Sequence, residues 1–245
     1  VDQVIAIIPT RMGSTRFPGK ALARDTGRPL LLHVVEAVSR AQVVDRVIVA
    51  SEDPEIEAFC QSAAIDHAMT ADTHPNGSSR IAEVAAAMDA GIILNVQGDE
   101  PEIATETIEA TVEALRSDRE AGVSTAAAPL NADDDVADPN IVKVVVGQSG
   151  QALYFSRAPI PYDMEASGTV PLRHIGLYAY RPQVLRQYVS LPSTPLETTE
   201  RLEQLRLLEH GIRIAVATVA TAHAGIDTPE QYADFVKRWR SCDPD

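Results

Sequence analysis

Cysteine is scarce in this chain, which holds only Cys60 and Cys242. The two stand far apart and outside any ligand-like spacing, so neither a disulfide framework nor a zinc site is indicated. That usage fits a reducing compartment. Positive charge is short as well: 21 Lys and Arg face 35 Asp and Glu, a formal net charge of −14. Such a balance argues against general affinity for nucleic acid or for an anionic membrane. No stretch approaches the ~18 uninterrupted apolar residues of a membrane span. The first residues run straight into a strand pattern, Val4 to Ile8, without the architecture of a secretory leader, so a cytoplasmic location is expected. For the same reason Asn76-Gly77-Ser78 reads as a chance match to a glycosylation acceptor. Low-complexity tracts, internal repeats and linkers are missing too.

What is present is an ordinary globular composition, 45% hydrophobic and 23% charged over 245 residues. A chain of that size buries a core without disulfides or a structural metal. Its first half alternates short β-rich runs with longer helical patterns, which predicts parallel strands joined by crossover helices. Strands are expected at 4–9, 46–50, 92–96 and 122–129, and helices at 31–41, 78–88 and 105–117. Another helix opens at Asp53-Pro54, an N-cap acid followed by proline at the first helical position. From about Asn131 the rhythm changes. Segments 141–146 and 151–155 read as a β-hairpin, followed by a Pro-rich stretch and a strand over 174–180. One helix is predicted over 196–210, with Leu202, Leu205 and Leu208 on its apolar face. A strand at 212–219 and a helix at 229–239 close the chain. The expected fold is therefore α/β with a mostly parallel central sheet. It forms one domain over 1–245, with an inserted, hairpin-containing subdomain at about 131–210 that could carry a dimer interface.

The most informative segment follows the first strand: Pro9-Thr10-Arg11-Met12-Gly13-Ser14-Thr15-Arg16-Phe17-Pro18-Gly19-Lys20. Ligands of open parallel sheets bind beyond the carboxyl ends of the strands, where this loop lies. Gly13 and Gly19 would let the backbone turn tightly and bring N–H groups near phosphate oxygens. Arg11, Arg16 and Lys20 reverse the global acidity locally. Arginine grips phosphate bidentately, and lysine acts as a mobile point charge. The spacing is neither that of a Walker A loop nor that of a dinucleotide-binding G-x-G-x-x-G turn.

The pattern R-x-x-S-T-R-x-P-G-K after an apolar strand ending in proline resembles the CTP-binding loop of sugar-activating nucleotidyltransferases. In this form it is similar to that of the 3-deoxy-manno-octulosonate cytidylyltransferases, which join CMP to the acidic sugar Kdo. Further matches follow in order. They are Met69-Thr70 with His74, Gly77, Ser78 and Arg80; Asn95-Val96-Gln97-Gly98-Asp99-Glu100-Pro101; and Ala152 to Arg157. After these come Arg173-His174-Ile175-Gly176-Leu177-Tyr178, Leu196-Glu197 with Leu202 to Arg206, and Gly225 to Glu230. The family often carries acids at the places held here by Thr73 and Ser79.

The resemblance implies a Rossmann-like nucleotidyltransferase fold, a homodimer, CTP and Kdo as substrates, Mg²⁺ as cofactor, and a place in lipopolysaccharide biosynthesis. Arg11, Lys20 and Asp99 would be catalytic. Pro9, Arg11, Gly13, Ser14, Arg16, Lys20, Gly77, Ser78, Arg80 and Gln97 would contact CTP. Gln97, Arg157, His174, Tyr178, Glu197 and Gln204 would contact the sugar. Asp99 and Asp227 would bind Mg²⁺, whose preference is for few, hard oxygen ligands completed by phosphate and water. Considered alone, Asp227 reads as a turn or N-cap residue. Glu197 alone reads as a first-turn helix acid, and His174 and Tyr178 as packed neighbours on one strand face. Two alternatives stay open: activation of 8-amino-Kdo or a sialic-type sugar acid, and a nucleotide-sensing protein without catalysis.

Overall fold

A computed structural model describes residues 3–165, 167–222 and 225–242, and the Cys242 side chain lies outside the described part. The chain forms two compact units, one of 1–105 with 223–245, the other of 106–222. The stretch 131–210 expected as a subdomain lies inside the second unit, which also takes in the elements on either side of it.

In the first unit β1 (Val4–Pro9), β2 (Arg46–Ser51), β3 (His67–Met69) and β4 (Ile92–Asn95) alternate with α1 (Leu30–Ser39), α2 (Pro54–Ser62) and α3 (Gly77–Ala86). The strands run parallel in the order β3-β2-β1-β4. Val4 to Ile8 are all buried, the continuous apolar run expected of a strand covered on both faces. The order reverses at β1, whose neighbours are β2 and β4. The loops after β1 and β4 therefore leave the sheet at a topological switch point, where such folds bind ligands.

The last helix of the chain, Pro229–Cys242, belongs to this unit. Its Tyr232, Phe235 and Val236 pack with Leu30 and Ile226, and Phe17 of the first loop lies against that cluster. The Phe17 and Tyr232 rings are 5.5 Å apart. Tyr232 is buried and Phe17 partly so, and their contact ties the first loop to the segment that carries Asp227.

The second unit holds α4 (Thr105–Ser117, from Glu106 onward), β5 (Val123–Pro129), β6 (Lys143–Val146), β7 (Ala152–Ser156) and β8 (Leu172–Tyr180). After them come α5 (Pro182–Tyr188), α6 (Pro195–Glu200), α7 (Gln204–Glu209) and β9 (Ile214–Thr218). In full chain order the closing helix is thus α8. β5 pairs antiparallel with β8 and parallel with β9. β6 and β7 form the expected hairpin, closed by the Gly147 N–H on the Gln151 carbonyl at 2.8 Å.

Three elements differ from expectation. The helix predicted over 196–210 is two helices, because Arg201 adopts the left-handed conformation at φ 53° and ψ 49° and ends α6. The Leu202 N–H then returns to the Glu197 carbonyl at 3.2 Å, a closure usually built on glycine. The short β3 and α5 carry periodic signals too brief to read. Asp53 does hold the N-cap position of α2, but its side chain makes no cap bond there.

Candidate active site

A cavity of about 350 Å³ opens at the switch point of the first unit, a volume suited to a small ligand. It is lined from the β1 loop by Pro9, Arg11, Ser14, Arg16 and Lys20, from the start of α3 by Gly77 and Arg80, and from the β4 loop by Gln97 and Asp99. Asp227 completes it. The lining holds four cations against two carboxylates, within a chain that is strongly acidic overall.

The β1 loop is shaped by main-chain bonds on Met12. The Met12 carbonyl accepts the N–H groups of Ser14 at 2.9 Å and Gly19 at 3.0 Å. The Met12 N–H donates to Asp53 Oδ2 at 2.7 Å. Gly19 sits at φ 73°, where only glycine is at ease, so its turning role holds, while its own N–H is spent on the Met12 carbonyl. Gly13 differs: its φ is not positive, a Cβ there would meet nothing within 4 Å, and it is not among the cavity lining. Gly98 is favoured by space instead, since a Cβ would stand a tight 3.2 Å from the Pro9 carbonyl oxygen.

Lys20 enters a one-turn 3₁₀ helix, Lys20–Leu22, that swings its ammonium inward. Nζ donates to Asp99 Oδ2 at 2.6 Å, to the Ile226 carbonyl at 2.9 Å and to Asp227 Oδ1 at 3.4 Å. The Ile226 N–H donates to the Asp99 carbonyl at 2.8 Å, clamping the two acidic segments together. Arg16 reaches Asp227 Oδ2 at 2.9 Å. Arg11 is exposed and pairs with no acid among the described residues. No group of three or more His, Cys, Asp or Glu side chains among those residues could hold a metal unaided. Two carboxylates and a carbonyl nonetheless converge on one cation, a donor set that fits Mg²⁺ when phosphate and water complete its shell.

At the other end of the cavity Arg80 is buried, held by Glu52 and by the Thr70 hydroxyl. Asn76 caps α3 by accepting the Ser79 N–H at 2.9 Å. Ser78 is buried and does not line the cavity. His74, which does, is bonded to Glu83, and this bond is the main cause of the lowered Glu83 pKa. Sequence reasoning missed Asp53 and Glu52 as supports of this site. Neither carries a motif signal for this role, since Asp53 acts on the β1 loop and Glu52 on Arg80 of α3, both distant in sequence.

In the second unit, His174, Tyr178 and Gln204 present polar groups. The His174 ring stands edge-on to Phe155 at 5.0 Å and tilted to Tyr178 at 5.4 Å. Burial lowers its pKa to about 3, although an edge of the residue still reaches solvent. Gln204 is buried, and its sealed Nε2 has no hydrogen-bond partner among the described residues. An orphaned amide donor of that kind is costly unless something arrives to accept from it.

Two other expected sugar contacts are engaged elsewhere. Arg157 donates to the carbonyls of Glu200 at 2.8 Å, Pro139 at 2.7 Å and Arg201 at 3.4 Å. Glu197 forms a two-pronged pair with Arg206, Nε to Oε2 at 2.8 Å and Nη2 to Oε1 at 2.5 Å. It also accepts the Thr194 N–H at 3.3 Å. Both residues thus brace the chain around the α6–α7 break.

Residues 5–214 match the cytidylyltransferase family model. A 3-deoxy-manno-octulosonate cytidylyltransferase of Neisseria gonorrhoeae is 44% identical over 94% of this chain and 95% of its own length. One from Protochlamydia amoebophila is 46% identical over 93% of this chain and 91% of its own. A solved CMP:2-keto-3-deoxy-manno-octonic acid synthetase complexed with CTP superposes with a TM-score of 0.94 at 38% identity, covering 98% of this chain and 100% of that one. A cytidylyltransferase from Leptospira borgpetersenii shares the fold at 16% identity and a TM-score of 0.67. With its glycine-turned cationic loop, its paired aspartates and this similarity along nearly the whole chain, the protein belongs to the 3-deoxy-manno-octulosonate cytidylyltransferase family.

Proposed function

We propose that this enzyme transfers CMP from CTP to Kdo, releasing pyrophosphate. The carrying observation is the convergence of Lys20, Asp99 and Asp227 on one point of a cationic cavity at the sheet's switch point. The anomeric hydroxyl of the sugar attacks the α-phosphorus of CTP, and catalysis is mainly positioning and charge neutralisation. Arg11, Arg16 and Lys20 hold the phosphates and offset the charge that develops on them. Pro9, Gly77, Arg80 and Gln97 shape the nucleoside end, with Ser78 buried behind them, and Arg80 is oriented by Glu52 and Thr70. Asp99 and Asp227 are the residues that would hold Mg²⁺. When bound, that ion supplies Lewis-acid polarisation of the α-phosphate and favours ionisation of the attacking hydroxyl.

The sugar acid is recognised by His174, Tyr178 and Gln204, a reading supported by the similarity to the Kdo-activating relatives along nearly the whole chain. Arg157 keeps donors beyond those it spends on carbonyls, enough to meet a carboxylate. Glu197 contributes by orienting its neighbours. The enzyme works as a cytoplasmic homodimer in the lipopolysaccharide pathway. Among the described residues no helix is long and apolar enough to cross a membrane.

The test is pyrophosphate release from CTP and Mg²⁺ with Kdo, beside ATP, UTP, sialic acid and 8-amino-Kdo, repeated with EDTA and with Asp99→Ala. Release needing CTP and Kdo together, and lost in both repeats, is the expected result. Release with another sugar acid alone would overturn the sugar assignment. Folded protein that binds CTP and releases nothing with any pair would be a sensor.

A further inference from the structure

The strand pair β5–β8 carries an irregularity with a chemical consequence. Thr125 lies opposite Tyr178, and the next residue of β5, Ala126, lies opposite Ile175, so Gly176 and Leu177 of β8 have no partners in register. Such bulges re-aim groups near functional sites. Here the bulge turns two carbonyl groups onto the fully buried Thr125 hydroxyl, Leu177 O at 2.8 Å and Ile175 O at 3.1 Å. The same Oγ1 lies 2.9 Å from His174 Nε2.

A threonine hydroxyl has one proton. Carbonyl oxygens only accept, so that proton is committed to the bulge and a lone pair of Oγ1 faces the imidazole. His174 Nε2 must therefore carry the hydrogen. Burial keeps the ring neutral, which leaves one N–H in total. Nδ1 is then a bare acceptor. It bonds to no described residue, and His174 is only partly buried, which leaves Nδ1 to water or to a ligand. Phe155 and Tyr178 fix the plane of the ring, and the His174 N–H anchors the strand on the Val142 carbonyl at 2.8 Å.

We propose that Thr125 is a positioning residue that locks His174 in its Nε2–H tautomer, so that Nδ1 accepts a hydrogen bond from a hydroxyl of the sugar acid. The second half rests on the sugar-binding reading of His174 given above. The lock does not. The other tautomer would either set two lone pairs against each other across Oγ1 and Nε2 or draw the hydroxyl proton away from both bulge carbonyls. It would also offer the ligand a donor, reversing the polarity of recognition. A hydroxyl that donates to Nδ1 keeps its own oxygen free to accept from elsewhere, which suits a polyhydroxylated ligand.

The experiment combines a direct reading of the tautomer with kinetics. Long-range ¹H–¹⁵N spectra of the ligand-free full chain are compared for the unaltered protein, Thr125→Val and Thr125→Ser. The unaltered protein and Thr125→Ser should show neutral His174 protonated at Nε2. Thr125→Val, of nearly the same shape but with no acceptor, should show a mixture of tautomers. The KM for Kdo should rise about tenfold in Thr125→Val and return towards normal in Thr125→Ser, with the KM for CTP unchanged in both. An unchanged KM for CTP also shows that the valine variant has folded. Protonation at Nδ1, or a charged ring, in the unaltered protein at neutral pH would overturn the lock. A confirmed Nε2–H tautomer with no change in the KM for Kdo in Thr125→Val would leave the lock standing and overturn the sugar contact of His174.

Discussion

The carboxylate of Asp53 accepts the Met12 N–H at 2.7 Å, across 41 residues of sequence. It thereby fixes the turn of the loop that presents Arg11, Arg16 and Lys20. Met12 closes the turn with its own carbonyl, so one residue is held from both sides. The loop is set in advance, which would lower the entropy cost of binding a phosphate there.

Asp53→Ala should therefore raise the KM for CTP about tenfold, the cost of one unmade charge-assisted bond. The KM for the sugar acid should stay unchanged. Initial rates with each substrate varied separately check this, and equal shifts in both constants would count against a role confined to the loop.

Lys20→Met should lower kcat by roughly 10²–10³-fold, the usual effect of removing one group that stabilises transition-state charge. Because the ammonium bonds to both Asp99 and Asp227, Lys20→Met and Asp99→Asn should be non-additive. A double variant whose loss is the product of the single losses would show that the two groups act independently.

Glu197→Gln tests the bracing role of that residue. Its pair with Arg206 is largely buried, with side-chain exposures of 10% and 13%. Breaking such a pair typically costs about 3 kcal/mol. Urea unfolding should show that loss, with the activity of the folded fraction largely kept. Unchanged stability together with a raised KM for the sugar would instead place Glu197 on the ligand.

The stability of the protein should fall on mild acidification. His174 has a pKa lowered to about 3 by burial, and His33 is lowered by burial and by Arg28. In the unfolded chain both titrate near ~6.5. Below that value the unfolded state binds protons that the folded state refuses, so stability is complete above ~6.5 and drops as pH falls toward the folded pKa. Each such histidine contributes up to ~1.4 kcal/mol per pH unit. Glu83, Asp118 and Glu200 have lowered values, so their contributions are lost only at more acidic pH. Between pH 6.5 and 5 the urea midpoint should decline, and His174→Gln should flatten that decline.

The site was legible where chemistry lies in a short motif at a strand end. The run from Pro9 to Lys20 and the Asp99 loop declared themselves in this way. Supports that act across space were not legible: Asp53 looks like any helix-initiating acid, and only the fold brings it to Met12. The break at Arg201 was hidden because leucines keep helical spacing through it, with no glycine at the left-handed position. Gly13 shows the opposite error, a glycine whose freedom this backbone does not use. The bulge in β8 leaves no trace in the alternation pattern, since His174 and Tyr178 still share a face across it.

The ammonium of Lys20 bridges Asp99 and Asp227 by itself. Two carboxylates held together for catalysis would ordinarily repel and strain the resting protein, a common source of conflict between activity and fold. Here the enzyme carries its own counter-ion. The acids can remain gathered while the site waits, and the trade-off that such a pair imposes is relieved by a lysine already placed in the neighbouring loop.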